Sequence, residues 1–206
     1  LLWFHGASVG EINSVIPLIE KFEKKKEIKK ILITSNTLSS SKIFQKIKFK
    51  KTIHQFFPID TNFFIKKFLN YWKPSAAFFI DSEIWPNTIT NLKRKKVPII
   101  LVNGRITKNS FNKWSKISYL SNDLFSKINL CFPSSKQSEK YLKQLGVKKI
   151  KFIGNIKFSQ SKNEKLLSNN INNKKFISFK KTWCASSTHK TEELLCGAVH
   201  KKLKKK

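Results

Sequence analysis

The chain has 206 residues, of which 40% are hydrophobic and 13% aromatic, with 42 Lys and Arg against 12 Asp and Glu for a net charge of +30. This composition excludes an acidic disordered chain and a small disulfide-stapled scaffold, and the length allows one large α/β domain or one domain plus part of another, since domains run to about 100–200 residues. The charge points to a polyanionic partner such as nucleic acid, phosphorylated lipid or an acidic membrane surface, but only Arg94 and Arg105 among the cations are arginines, and lysine drift in an AT-rich coding sequence accounts for it equally well.

The opening run Leu1-Leu2-Trp3-Phe4 reads as a strand already in progress, and the sequence contains no Met. Further apolar runs mark strands at residues 30–34, 53–57, 76–80, 99–102, 128–132 and 151–153. Between them lie helical patterns. Residues 12–22 put Val15, Ile16, Ile19 and Phe22 on one face, and residues 61–71 do the same with Phe64, Ile65, Phe68 and Leu69. Strand and helix in alternation predict a doubly wound parallel sheet, and Pro74 and Pro98 end helices just before strands.

Residues 155–175 are rich in Ser, Asn and Lys and read as a linker or mobile loop. A new strand is expected over 176–185, then Ser-Ser-Thr-His and a helix over 192–203, the first β-α unit of a second domain. The chain is therefore expected to be an internal fragment of a longer protein. No run approaches the roughly 20 apolar residues of a membrane span, and no signal peptide is visible. Cys131, Cys184 and Cys196 form no C-x-x-C pair and the four histidines are scattered. No metal site is expected from that spacing, and the cysteines read as reduced, mostly buried residues of a cytosolic compartment.

In an open parallel sheet ligands bind outside the carboxyl ends of strands, so the loops there are the place to look for chemistry. His5-Gly6-Ala7-Ser8-Val9-Gly10-Glu11 follows the first strand, and the amides of the helix start suit an oxyanion. Glu11 is either a working carboxylate or a surface acid complementing the helix dipole. Asp81-Ser82-Glu83-Ile84-Trp85-Pro86-Asn87 follows the fourth strand. It admits three readings: a D-x-E metal site, a carboxylate poised for acid/base or electrostatic work, or a helix cap. In Asn103-Gly104-Arg105-Ile106-Thr107, Arg105 offers a planar fork for carboxylate or phosphate, or a structural salt bridge. Gly154-Asn155-Ile156-Lys157-Phe158 puts Lys157 at the hinge. No P-loop, G-x-G-x-x-G or G-x-S-x-G occurs, which disfavours P-loop NTPases, dinucleotide binders and that class of serine hydrolase.

In order, H-G-A-S-V-G-E (5–11), D-S-E-I-W-P-N (81–87), N-G-R-I-T (103–107), G-N-I-K-F (154–158) and A-S-S-T-H-K-T-E-E (185–193) resemble the motif series of the 3-deoxy-D-manno-octulosonic acid (Kdo) transferases. The resemblance implies an α/β glycosyltransferase-B fold. An N-terminal, acceptor-binding, Rossmann-like domain would span residues 1–158, a linker 159–175, and the truncated start of a CMP-Kdo-binding domain 176–206. It also implies transfer of Kdo from CMP-Kdo to the lipid A precursor lipid IVA at the cytoplasmic face of the bacterial inner membrane, with inversion and without metal or cofactor.

Carried over residue by residue, the family's general base falls on Glu11 and its transition-state stabilisers on Glu83 and Lys157. Ser8, Gly10, Trp85, Asn87, Arg105, Ser187 and His189 are expected to bind substrate, and the small residues from Gly6 to Gly10 to let the acceptor approach Glu11. The chain departs from the family pattern at Gly6, Asp81, Ser82, Gly104 and Ser159, and Ser159 stands where an acid is commoner. With much of the donor domain missing, the fragment alone is expected to be inactive. Basic and aromatic residues such as those of segment 44–51 are expected to dock on anionic lipid. The alternatives are a Lys-rich nucleic-acid-binding α/β module, although nucleic acid is not the expected partner, or a glycosyltransferase of the same fold with another acceptor.

Overall fold

The structure, a computed structural model, describes residues 1–47, 49–156, 183–186 and 188–204, without the side chains of residues 43–46. The chain divides into two compact units, Leu1–Ser161 and Lys162–Lys206.

In the first unit six strands, β1 (Leu2–His5), β2 (Ile31–Ser35), β3 (Thr52–Phe56), β4 (Ala76–Ile80), β5 (Ile99–Gly104) and β6 (Leu130–Pro133), form one sheet in the order β3-β2-β1-β4-β5-β6. Every pairing is parallel. Among the described residues of this unit seven helices connect or follow them: α1 (Val9–Glu23), α2 (Leu38–Lys46), α3 (Asn62–Trp72), α4 (Pro86–Arg94), α5 (Lys108–Ser115), α6 (Ser118–Phe125) and α7 (Lys136–Gln144).

Alternation along the strands sends successive side chains to opposite faces, and each face builds its own core. Trp3, Ala77, Phe79 and Leu101 meet Phe68, Leu69, Leu92, Phe125 and Leu142 from α3, α4, α6 and α7. Phe4, Ile33, Ile80 and Val102 meet Ile12, Val15 and Ile19 of α1. Helices on both faces make the sheet doubly wound, as the alternation predicts. Lys73, with φ 45, ends α3 in the left-handed region just before Pro74, so the helix closes where the proline forbids its continuation.

Three expectations need correction. Residues 151–153 form no strand: a single bridge pairs Ile150 with Cys131, and Phe152 and Ile153 remain exposed, so no buried alternating face holds the segment in the sheet. Of the strand expected over 176–185, residues 176–182 lie outside the described residues, and 183–185 carry no regular structure. The cysteines are not mostly buried. Cys131 is buried and its thiol is pushed up to about 12 by burial and the Glu139 charge, whereas Cys184 is exposed and Cys196 partly so.

The described part of the second unit carries α8 (Lys190–Lys204), whose start is capped when His189 N–H donates to Glu192 Oε2 at 3.0 Å. No described helix is long and apolar enough to cross a membrane.

Candidate active site

The strand order reverses between β1 and β4, which lie side by side but are fed from opposite directions. Loops diverge there at the carboxyl ends of the strands and leave a crevice, the usual ligand site of such sheets. The loops that border it carry Glu11 and Glu83.

Ser8 is the N-cap of α1, and its hydroxyl accepts from Glu11 N–H at 3.3 Å. The Glu11 carboxylate turns back in return. Oε2 accepts from Ala7 N–H at 2.7 Å and Oε1 from the Ser8 hydroxyl at 3.0 Å. S-V-G-E is therefore a reciprocal cap, with the backbone contact one residue earlier than in the usual capping box. Glu11 serves the helix as the plain reading of its position supposed, yet its carboxylate is also held in one orientation. Burial pushes its pKa above the ordinary 4.5; the Ala7 bond opposes this, the Glu83 charge adds to it, and Ser8 and Asp81 act in opposite senses behind these.

Gly6 makes that turn possible, because a Cβ there would lie 3.2 Å from Glu11 Cβ and from Ile12 Cδ1. The room it leaves is filled by Glu11 and Ile12. At Gly10 a Cβ would meet nothing within 4 Å, so the open approach lies there.

Across the crevice, Glu83 Oε2 accepts from Trp85 Nε1–H at 2.7 Å and lies 3.1 Å from His5 Nε2. Trp85 packs its ring on Phe57 and His5, so its indole is committed to the wall of the site. Asp81 is buried at φ 58 and receives Asn103 Nδ2–H on Oδ1, with Asn103 itself at φ 56. Short polar side chains tolerate that left-handed backbone best. The matched pair ties the ends of β4 and β5 together, with Arg105 N–H donating to Asp81 O at 3.1 Å. Ile156 N–H donates to Asn103 Oδ1 at 3.3 Å.

Neither Asp81 nor Glu83 caps α4. That task falls to Asp60, which accepts from Asn87 N–H at 3.1 Å, Thr88 N–H at 2.8 Å and the Thr88 hydroxyl at 2.6 Å. Asn87, expected to bind substrate, instead donates its amide to Asp60 O at 2.7 Å. Among the described residues no group of three or more His, Cys, Asp and Glu side chains could share a metal ion.

Arg105 is exposed, and neither the Lys127–Asp123 ion pair nor the His5–Glu83 contact includes it, so the salt-bridge reading of Arg105 is not realised among the described residues. It opens on a cavity of about 510 Å³ beyond β5 and β6 that Thr107, Lys108, Ser135 and Tyr141 also line. Lys157 and Ser187 lie outside the described residues, and His189 is an exposed residue of the second unit.

Sequence reasoning missed His5, Thr34, Asp60 and Asn103. Two of these stand inside quoted motifs, where a histidine beside a glutamate-bearing turn and an asparagine ending a strand were the available signals. Asp60, one of only three aspartates, had rarity alone to mark it.

The family model described as "3-Deoxy-D-manno-octulosonic-acid transferase (kdotransferase)" matches residues 1–160. A 3-deoxy-D-manno-octulosonic acid transferase of Rickettsia bellii is 36% identical over 211 aligned residues, covering 100% of this chain and 49% of the relative. The transferase of Haemophilus influenzae is 27% identical, over 98% of this chain and 48% of its own length. The chain thus spans about half the length of the curated relatives it matches.

Among solved structures, UDP-N-acetylglucosamine 2-epimerase from Rickettsia bellii superposes with a TM-score of 0.56 at 14% identity, over 85% of this chain and 50% of that one. The UDP-GlcNAc 2-epimerase of Neisseria meningitidis gives 0.55 at 15%, over 86% and 53%. At such identity these likenesses speak for the glycosyltransferase-B type, Rossmann-like fold alone. Sequence and fold together make this chain a member of the 3-deoxy-D-manno-octulosonic acid transferase family.

Proposed function

We propose that the polypeptide containing this chain transfers Kdo from CMP-Kdo to lipid IVA in lipopolysaccharide biosynthesis, by direct displacement with inversion and with Glu11 as the general base. A sugar hydroxyl is a poor nucleophile until a positioned carboxylate takes its proton. Glu11 would accept the proton of an acceptor glucosamine hydroxyl as that oxygen bonds to the anomeric carbon of Kdo, while the bond to the CMP phosphate breaks and CMP departs. The observation that carries this reading is the Glu11 carboxylate itself, oriented by Ala7 and Ser8, made more basic by burial, and set at the β1/β4 crevice.

Glu83 would orient the acceptor or support the cationic character of the reacting sugar. Lys157, carried over by resemblance, would balance charge on the departing CMP or the Kdo carboxylate. Ser8 holds the base, Gly10 leaves the approach open, and Arg105 would receive a carboxylate or phosphate at the mouth of its cavity; Ser187 and His189 remain proposed substrate contacts. In this reading the reaction uses no cofactor or metal, and Lys157 rather than a metal ion would balance the charge of the departing CMP.

An anionic membrane surface is the proposed setting, at the cytoplasmic face of the bacterial inner membrane. On α3, Phe63 is 70% and Tyr71 78% exposed, Phe64 is exposed beside them, and Lys66 and Lys67 flank these rings. Aromatic and basic side chains on one helix suit the headgroup layer. In segment 44–51, Lys51 Nζ donates to Lys25 O and the Lys50 and Lys51 backbone N–H groups donate to Glu23, while Lys50 is exposed. The test is mass spectrometry of lipid IVA incubated with CMP-Kdo and the longest polypeptide the gene encodes. Formation of Kdo-lipid IVA is expected; CMP-Kdo consumed only with a different acceptor would contradict the assignment.

A further inference from the structure

We propose that His5 is a positioning residue of the transfer reaction, holding the Glu83 carboxylate through a buried relay that begins at Trp3. The inference rests on the role proposed above for Glu83. The His5 ring is fully buried, stacked on Phe57 with centroids 4.0 Å apart and edge-on to Phe79 and Trp85. Its Nδ1 lies 2.9 Å from Thr34 Oγ1 and 3.2 Å from Thr34 O, and its Nε2 lies 3.1 Å from Glu83 Oε2. Packing confines the ring, and its contacts with Thr34 and Glu83 set which edge faces each, so the relay is decided by where its hydrogens sit.

Both ends of the relay are fixed, because an indole N–H only donates. Trp3 Nε1 donates to Thr34 Oγ1 at 3.0 Å, and Trp85 Nε1 donates to Glu83 Oε2 at 2.7 Å. The Thr34 hydroxyl hydrogen has two acceptors within reach, His5 Nδ1 at 2.9 Å and Phe4 O at 3.4 Å. The shorter contact takes it, so Nδ1 accepts from the hydroxyl, and its longer 3.2 Å approach to Thr34 O, which only accepts, goes unbonded. The ring hydrogen then sits on Nε2 and points at Glu83. In the opposite tautomer, Nε2 would turn a lone pair toward a carboxylate oxygen 3.1 Å away, an unfavourable contact in a buried setting.

Hydrogens therefore run from Trp3 to Thr34, from Thr34 to His5 and from His5 to Glu83, spanning β1, β2 and the loop after β4. Oε2 of Glu83 is held from two sides, which fixes the direction in which Oε1 points. A carboxylate placed this way acts at a set distance from the reacting sugar, and small displacements of such a group cost about 10- to 100-fold in rate.

The direct test is the ¹⁵N spectrum of the His5 ring in this 206-residue chain at neutral pH. A protonated Nε2 with a bare Nδ1 is expected; a hydrogen on Nδ1, alone or with a second on Nε2, overturns the proposal. The functional arm uses the longest polypeptide the gene encodes. His5→Asn, which has no donor at the Nε2 position, is expected to lower kcat by about 10- to 100-fold with KM for both substrates little changed. His5→Gln, whose amide nitrogen reaches that position, is expected to restore much of the loss. Equal losses in His5→Gln and His5→Asn would overturn the positioning role. Full turnover in Glu83→Gln alongside the expected ¹⁵N result would instead overturn the role of Glu83 and leave the relay standing.

Discussion

Glu11 caps its own helix and, in the proposed reaction, takes a proton from a sugar hydroxyl, and these roles make opposite demands on its basicity. The Ala7 N–H stabilises the anion, whereas burial and the charges of Glu83 and Asp81 disfavour it, with the net effect upward. A base works only when ionised, so the acid limb of kcat/KM is expected above the ordinary 4.5 of a glutamate. Glu83→Gln removes a like charge and is expected to move that limb to lower pH; a pH-rate profile of both proteins checks this, and a limb that stays put would contradict the coupling. By linkage, ionised Glu11 works against the fold above its folded pKa, and the strain is relieved as pH falls through that value. The motif made Glu11 legible in the sequence, because S-x-x-E is a local signature and its partners Ala7 and Ser8 are near neighbours. The relay through Thr34 was not legible, since Thr34 lies 29 residues from His5 and only the pairing of β1 with β2 brings them together.

At the scale of elements, Asp60 anchors the frame at the crevice and Glu23 anchors it at the opposite, amino ends of the strands. Asp60 replaces a cap that α4 cannot make for itself, since Trp85 stands at its N-cap with no side-chain bond to the helix start and Pro86 opens the helix. Asp60→Ala is expected to cost about 0.5–2 kcal/mol, read as a lower Tm in thermal unfolding. Glu23, at the end of α1, accepts from Lys50 N–H, Lys51 N–H and the Thr52 hydroxyl and so pins the start of edge strand β3. Burial alone would raise its pKa, but those bonds and the Lys51 charge bring it below the ordinary 4.5.

The stabilisation from Glu23 is therefore present above 4.5 and is lost as pH falls through the lower, folded value. Glu23→Gln is expected to lower Tm at neutral pH and to match the parent chain in strong acid; equal Tm values at pH 7 would contradict it. Six strands and the helices α1 and α3 were legible because apolar runs and i, i+3, i+4 spacing report burial directly. The bounds of α2 and of α4 to α7 were not, since these are short helices whose ends are set by caps and tertiary packing. Lys151 to Ile153 misled because an apolar pair beside lysines imitates a strand that has no face to bury.

For the molecule as a whole, the +30 charge takes meaning only from what it surrounds. Lysine excess alone fits several polyanions, but Lys66 and Lys67 flank exposed rings on α3, and that pairing suits a lipid surface. Vesicles containing anionic lipid are expected to bind the chain more tightly than zwitterionic ones, with binding weakened by salt. Phe63→Ser with Phe64→Ser is expected to reduce binding in a flotation assay; undiminished binding would move the contact elsewhere.

The central claim, that Glu11 is the base at the β1/β4 crevice, is tested most directly by single-turnover transfer in the longest polypeptide the gene encodes, comparing Glu11→Gln with the parent. A loss of about 10²–10⁴-fold in the chemical step with CMP-Kdo binding retained is expected. Near-parental turnover in Glu11→Gln would contradict the account.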